Sequence, residues 1–303
     1  MIKACVIGLS KIGLIHCNNL KRIPKTKLEF VYDINSKLRS NYANKFNCKT
    51  SKNFEEILKK KEIKLFILSS PTNTHEYFLK KLIKHKKMIY CEKPILMREK
   101  NLISITNEIV KKKIKICIGL NRRFEKAYIK MKKKLNNRKV NIMQIISRSF
   151  NINVDQSIRN GGLFMDKGFH FFDLACWFTR STPKKIVTIA EPISTKKYLD
   201  KKDYSDAIIN MKMESKTIVE FIFSRESRSG QEERIRLYGK GFRLDSNNFF
   251  KKKDLLKSWD IKHKESYYNC LKKFVYSNKS MFLREGILTQ RICEKTLMTA
   301  KKN

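Results

Sequence analysis

The sequence is poor in acids, glycine and proline. Of 303 residues, 28 are Asp or Glu against 68 Lys or Arg, a formal net charge of +40, and there are 10 glycines and 5 prolines. No Pro/Gly/Ser-rich stretch marks a flexible linker, and no internal repeat is visible. Cysteines stand at 5, 17, 48, 91, 117, 176, 270 and 293, none in a Cys-x-x-Cys pair. That scatter excludes a zinc ribbon or a disulfide framework and fits reduced thiols in the cytoplasm, with no metal site expected. No apolar run approaches the ~20 residues of a membrane helix, so no membrane partner is expected. IKACVIG (2–8) reads as a strand rather than as the apolar centre of a secretory leader.

The charge invites a polyanion partner. Its distribution argues otherwise. Lysine runs at 59–61, 111–113, 132–134 and 251–253 fall on what read as solvent faces of helices. None is interleaved with aromatics, as a stacking platform for nucleic acid would be. Abundant Lys, Asn and Ile match compositional drift in an AT-biased genome, and no specific nucleic-acid partner is expected. Hydrophobic residues still make up 41 %, enough for a core.

Up to residue 120, apolar runs alternate with basic amphipathic segments. IKACVIG (2–8), LEFVYD (28–33), IKLFILSS (63–70), MIYCEKP (88–94) and IKICIGL (114–120) read as strands, with helical patterns between them. Short links in this order predict a doubly wound parallel sheet, an α/β Rossmann domain over 1–120. After 120 come a helix (125–136), a strand (140–150) and strand-like runs at 185–193, 207–213, 217–225 and 233–239. Hairpin spacing predicts an α+β domain over 121–303 with an open antiparallel sheet.

The first strand runs into GLSKIG (8–13), and Asp33 closes the second strand 20 residues after Gly13. This is the position of a dinucleotide fingerprint: a tight turn at Gly8, close helix packing at Gly13, and pyrophosphate on the helix N-terminus. Gly8, Leu9, Ser10, Lys11, Ile12 and Gly13 are the expected phosphate loop, and Asp33 the ribose ligand. Ser10 replaces the middle glycine of the pattern. In SSPTNTHEY (69–77), Asn73 or Thr74 can cap a helix starting near His75, with Glu76 as the reciprocal partner. Open α/β sheets bind ligands outside the carboxyl ends of their strands. Ser70, Thr72, Asn73 and His75, with Glu92 and Lys93 of CEKP (91–94), are therefore expected to line the cofactor crevice.

GGLFMDKGFHFFD (161–173) places Asp166, His170 and Asp173 at i, i+4 and i+7, one face of a helix. A capped helix with a satisfied buried histidine is the bland alternative, and the stretch alone does not choose.

Taken in order, GLSKIG, SSPTNTHEY, CEKP, GLNRRF (119–124) and GGLFMDKGFHFFD resemble the Gfo/Idh/MocA oxidoreductases across essentially the whole chain, and look most like the bacterial inositol 2-dehydrogenases. SRESRSGQEERIRLYGKG (224–241) looks like the family's later strand pair. The resemblance implies an NAD-binding Rossmann domain, a second domain with an open sheet, a C-terminal segment packed back on the first domain, and a homo-oligomer, frequently a tetramer. It also implies that Lys93, Asp166 and His170 meet at the nicotinamide. The roles are chemically consistent: imidazole suits proton transfer, a lysine cation stabilises developing alkoxide, and an aspartate holds geometry. Asp173 orients substrate or structure. Arg122 and Arg123 reach substrate or cofactor, or one of them pairs with an acid.

The implied activity is oxidation of a cyclic polyol, inositol first, with NAD preferred over NADP. Alternatives are another sugar, an amino sugar, a nucleotide-activated sugar, or a non-catalytic NAD-sensing regulator. Two departures from close inositol dehydrogenases bear on the substrate: Phe171 where an acid follows the histidine, and Arg148-Ser149-Phe150 where Arg-Asp-Pro is usual.

Overall fold

The computed structural model describes residues 1–149, 154–193, 198, 200, 203–225, 232–249 and 259–301. The chain clusters into two compact units, one of residues 1–121 with 267–287 and one of 122–266 with 288–303.

In the first unit β1 (Ile2–Ile7), α1 (Lys11–Arg22), β2 (Thr26–Tyr32), α2 (Ser36–Phe46), β3 (Lys49–Thr50) and α3 (Phe54–Lys59) are followed by β4 (Ile63–Leu68), α4 (His75–Lys84), β5 (Met88–Cys91), α5 (Leu102–Lys111) and β6 (Ile116–Ile118). The strands form one parallel sheet in the order β3-β2-β1-β4-β5-β6, doubly wound as the alternation predicts, with the two-residue β3 added to the five expected strands. β1 and β4 sit at its centre, and Ala4 to Ile7 and Leu65 to Leu68 are buried, as a sheet covered on both faces requires. The helices offer apolar stripes to it; in α4 these are Phe78, Leu79, Leu82 and Ile83. Asn35 and Asn53 accept backbone N–H bonds at 3.1 and 3.0 Å and so cap α2 and α3.

The second unit holds α6 (Lys126–Leu135), β7 (Ile142–Arg148), α7 (Val154–Arg159), α8 (Phe169–Thr179), β8 (Pro183–Glu191), β9 (Asp206–Met213), β10 (Ile218–Ser224), β11 (Glu232–Gly239) and β12 (Phe242–Asp245). Two long helices, α9 (Trp259–Tyr276) and α10 (Leu283–Ala300), close the described chain. The sheet order is β12-β11-β7-β10-β9-β8. It is mixed rather than purely antiparallel, because β10 runs parallel to β7 from Ile142↔Ile218 to Arg148↔Ser224. Hairpin spacing foretold β9–β10 but not that β10 returns beside β7, pairing Ile218 with Ile142.

Strict alternation makes one face of this sheet core. Phe172 of α8 meets Phe221 edge-on at 5.0 Å, and Phe171 lies 5.8 Å from Phe223. The opposite face carries a row of isoleucines across four strands: Ile146↔Ile222, Ile222↔Ile208 and Ile208↔Ile189. Ile208 and Ile189 are 45 % and 62 % exposed. No helix among the described residues is long and apolar enough to cross a membrane.

Candidate active site

The order of strands in the first unit reverses between β1 and β4, and the loops after these strands touch. Gly8 has φ +85°, and a Cβ there would lie 2.4 Å from backbone atoms of Ser70. A Cβ on Gly13 would lie 2.1 Å from the Gly8 carbonyl oxygen. Only glycine admits both the left-handed turn and this close approach. Ser69 holds the junction by donating to the carbonyls of Ile7 and Gly8, both at 3.0 Å. α1 starts at Lys11; Ser10 makes no side-chain cap bond and no acid lies in the first turn. The positive end of the helix dipole therefore faces the turn uncompensated, as an anion site needs.

Asp33 follows β2. Its Oδ2 accepts the Leu9 N–H at 2.8 Å and its Oδ1 the Asn35 N–H at 2.9 Å. A carboxylate has lone pairs left for ribose hydroxyls after two such bonds. Arg39 donates to the Asp33 carbonyl at 2.7 Å, beside that carboxylate. Turn, helix end and acid together fit a dinucleotide.

The expected cap on α4 does not form. Thr72–Thr74 is a 3₁₀ turn feeding directly into α4, so the entering amides bond to backbone: Thr74 N–H to Pro71 O at 2.9 Å. Thr74 Oγ1 bonds to Pro71 O and Ser70 Oγ, each at 2.7 Å, and Glu76 pairs with Lys80 and Asn101. Thr72 is buried and Asn73 exposed.

His75 is buried, with Nε2 2.9 Å from Ser70 O and Nδ1 3.0 Å from Pro94 O. Burial lowers its proton affinity, partly opposed by these carbonyls. It ties the loop after β4 to the loop after β5, which carries Glu92 and half-buried Lys93. Glu92 points inward and bonds to His16 Nε2 of α1 at 2.8 Å. His16 packs edge-on to Tyr90 and Tyr267 at 5.1 and 5.8 Å. Sequence reading left His16 out, since it sits on an apolar helix face 76 residues from its partner.

In the second unit Gly162 has φ +77°, and a Cβ there would lie 2.5 Å from Asp203 Oδ1. Asp203 accepts the Leu163 N–H and the Ser157 hydroxyl, both at 3.0 Å, and so fixes the start of the motif. Phe164–Gly168 is a π-turn running into α8. Asp166 thus lies on the wider turn and His170 on the α-helix, so the simple α-helical face drawn from spacing is interrupted between them.

The three polar residues have different surroundings. Asp166 is 23 % exposed at its side chain and lies 3.6 Å from Arg225. His170 is 6 % exposed. Asp173 is buried in a bidentate pair with Arg123, at 2.9 and 2.6 Å. Arg122 is equally committed, bidentate to Glu233 at 2.8 Å on both arms. Its guanidinium also lies against His263, whose Nδ1 donates to Glu125 Oε1 at 2.5 Å. Phe171 is core, 2 % exposed, and Ser149 accepts from Lys167 at 2.9 Å; Phe150 lies outside the described residues.

Fold and dinucleotide turn define a protein with a nucleotide-binding Rossmann domain. Residues 2–120 match the oxidoreductase family with an NAD-binding Rossmann fold, and 141–244 match the Gfo/Idh/MocA C-terminal domain. The chain belongs to the Gfo/Idh/MocA family, and NAD is its cofactor. It is 26 % identical to the myo-inositol 2-dehydrogenase of Thermotoga maritima, over 80 % of this chain and 74 % of that protein. A probable dehydrogenase from Thermotoga maritima superposes with a TM-score of 0.93 at 22 % identity, covering 99 % and 97 % of the two chains. The scyllo-inositol dehydrogenase of Lactobacillus casei, solved with NAD(H) and scyllo-inositol, gives 0.89 at 18 %, covering 100 % and 98 %. At these identities the structures speak for the fold.

Proposed function

We propose that the protein is a dehydrogenase that oxidises a secondary hydroxyl of a cyclic polyol, myo-inositol first, and prefers NAD to NADP. The observation that carries the preference is Asp33, an acid aimed across the phosphate turn, which favours ribose hydroxyls and repels a 2′-phosphate. Inositol dehydrogenases among the relatives support the substrate class.

Residues 8–13 hold the pyrophosphate, Asp33 the adenosine ribose, and Ser70, Thr72 and Asn73 line the rim. The nicotinamide, when bound, supplies the hydride acceptor. His170 takes the hydroxyl proton, Lys93 stabilises the developing alkoxide, and Asp166 orients the reacting groups. His75 and Glu92 act through position, holding the loops that carry Ser70 and Lys93. Asp173 and Arg123 brace α8 as a pair, and Arg122 stabilises the same unit.

We further propose a homo-oligomer, with the isoleucine row of the second sheet covered by another copy, because an exposed apolar row across several strands calls for a partner. Ile222→Glu should lower the mass measured by light scattering; an unchanged mass removes this face from the assembly.

The deciding assay is NADH formation with myo-inositol, scyllo-inositol, other sugars and nucleotide-activated sugars, repeated with NADP. Turnover of cyclitols with NAD is expected. Turnover confined to a nucleotide-activated sugar, a clear NADP preference, or binding of NAD without turnover of any substrate would each displace this reading.

A further inference from the structure

The π-turn at Phe164–Gly168 is held at its start, its end and its middle. At the start, Asp203 accepts the Leu163 N–H at 3.0 Å. At the end, Gly168 meets the ring of Phe172, where a Cβ would lie 2.8 Å from the ring. In the middle, between Asp166 and His170, the hold is Lys167. Its side chain is buried, and Nζ donates to Ser224 O at 2.9 Å, Ser149 Oγ at 2.9 Å and Ser147 O at 3.2 Å. Ser147 belongs to β7 and Ser224 ends β10, and the two strands pair in parallel at this level. One side chain therefore reaches from the turn to both strands of the parallel pair.

A lysine is an unfavourable residue for such a place. Its hydrogen bonds run to neutral oxygens, and burial disfavours its charge. The charged groups whose fields reach it are Arg225, which follows β10, Glu233 of β11, Asp166 on the turn, and Arg122. A methionine would fill a similar volume without that penalty. What lysine adds is direction: charged or neutral, Nζ keeps at least two hydrogens for these acceptors.

Direction matters because a π-turn carries one residue more than the α-helix it runs into. Successive residues of an α-helix are turned by about 100° around its axis. Losing the extra residue to regular helix would swing Asp166 and Lys167 by about that angle relative to His170. Lys167 would then leave all its acceptors at once. Its bonds fit the wide turn, and with it the present placing of Asp166 against His170.

We propose that Lys167 is the positioning residue of the reacting pair: by pinning the middle of the π-turn to the ends of β7 and β10, it sets where Asp166 and His170 stand relative to each other. This rests on the reading of Asp166 and His170 as part of the catalytic set.

The test uses the full-length protein and the variants Lys167→Met, Ser149→Ala and the two combined. NMR comes first, because it requires no substrate. Carbon-13 at Cε1 of the five histidines gives one signal for each, assigned by substitution. In Lys167→Met the His170 signal should move or broaden while those of His16 and His75 stay in place. An unmoved His170 signal overturns the proposal. Movement of all three marks a general loss of structure and overturns it equally.

Kinetics with NAD and the polyol turned over fastest come second, with NADH-binding sites counted by titration. Lys167→Met should lower kcat per site by about 10–10²-fold, with the KM for NAD within about two-fold. Ser149→Ala removes one acceptor and should lower kcat by about three-fold alone, and by nothing further beside Lys167→Met. Full kcat in folded Lys167→Met, or effects of the two variants that multiply, overturn the proposal. If Lys167→Met is not recovered folded, Ser149→Ala decides: a lowered kcat together with a shifted His170 signal supports positioning, and either one unchanged overturns it. Asp166→Asn and His170→Ala enzymes with full turnover defeat the catalytic reading itself. Their inactivity beside a fully active Lys167→Met defeats only the role of Lys167.

Discussion

In the first unit the buried polar side chains around the rim bond mainly to main-chain atoms; in the second the buried arginines bond to acids, although Lys167 and Asp203 also hold main-chain atoms. Ser69 holds two carbonyls, Asp33 two amides, and His75 lies between carbonyls of two loops. These contacts give loops a shape, and the pair His16–Glu92 is the exception. In the second unit Arg122, Glu233, His263 and Glu125 form one buried group, and Arg123 holds Asp173. Such networks order particular side chains and leave backbone shape to the sheet. A cofactor common to many enzymes needs the first arrangement. A side-chain network, by contrast, can be altered one residue at a time.

The comparison is broken most severely at His170. His170→Ala should lower kcat by about 10²–10⁴-fold while leaving NAD affinity nearly unchanged. Steady-state kinetics and NADH titration check both. If activity and thermal midpoint fall together and in proportion, the histidine is packing rather than chemistry.

Next in size is the buried group of the second unit. Glu233→Gln removes one partner of a buried pair and should destabilise by about 3–5 kcal/mol, read from urea unfolding. A first-unit change should instead act on the cofactor. Gly8→Ala forces a Cβ onto Ser70 at a positive φ, so it should cost about 1–3 kcal/mol and weaken NADH binding by more than that loss of fold explains. Equal effects of both variants on stability and on NADH affinity would erase the distinction.

The smallest effect is a slope. Burial, with the Arg225 charge beside it, pushes the Lys167 ammonium down to about 7 from 10.5. Between those values the unfolded chain binds a proton that the folded chain has released, so stability should rise with pH across this window. Below about 7 both states carry the proton and the contribution to the slope vanishes. Lys167→Met should flatten the rise in urea midpoint between pH 7 and pH 9.5, roughly the span of that window. A slope unchanged from wild type would assign it to the rest of the +40 charge.

What was legible in the sequence follows the same division. Backbone-made features announce themselves locally: Gly8 and Gly13 around a turn, an acid ending β2, Lys93 before a proline, apolar runs for the buried parallel strands. The doubly wound parallel sheet was readable from alternation, with five of its six strands; the two-residue β3 was too short to announce itself. Side-chain partnerships across long separations were not. Nothing near Arg122 names Glu233, 111 residues on, and nothing near Asp166 names Arg225. The interruption of the α-helical face at Phe164–Gly168 was hidden because a π-turn leaves no distinctive residue pattern. The parallel pairing of β10 with β7 was hidden because local spacing speaks only for hairpins.

His75 has a kinetic consequence. Burial lowers its basicity, and a neutral ring carries a single N–H, so it donates to Ser70 or to Pro94 but not to both at once. The loop after β4 and the loop carrying Lys93 are nonetheless in contact through one rigid ring. Opening either loop alone means breaking into that buried contact, and the faster route is for both to shift as one body. Cofactor exchange would then follow a single relaxation of the paired loops, and loosening the ring with His75→Ala should speed NADH release without touching any group that meets the substrate.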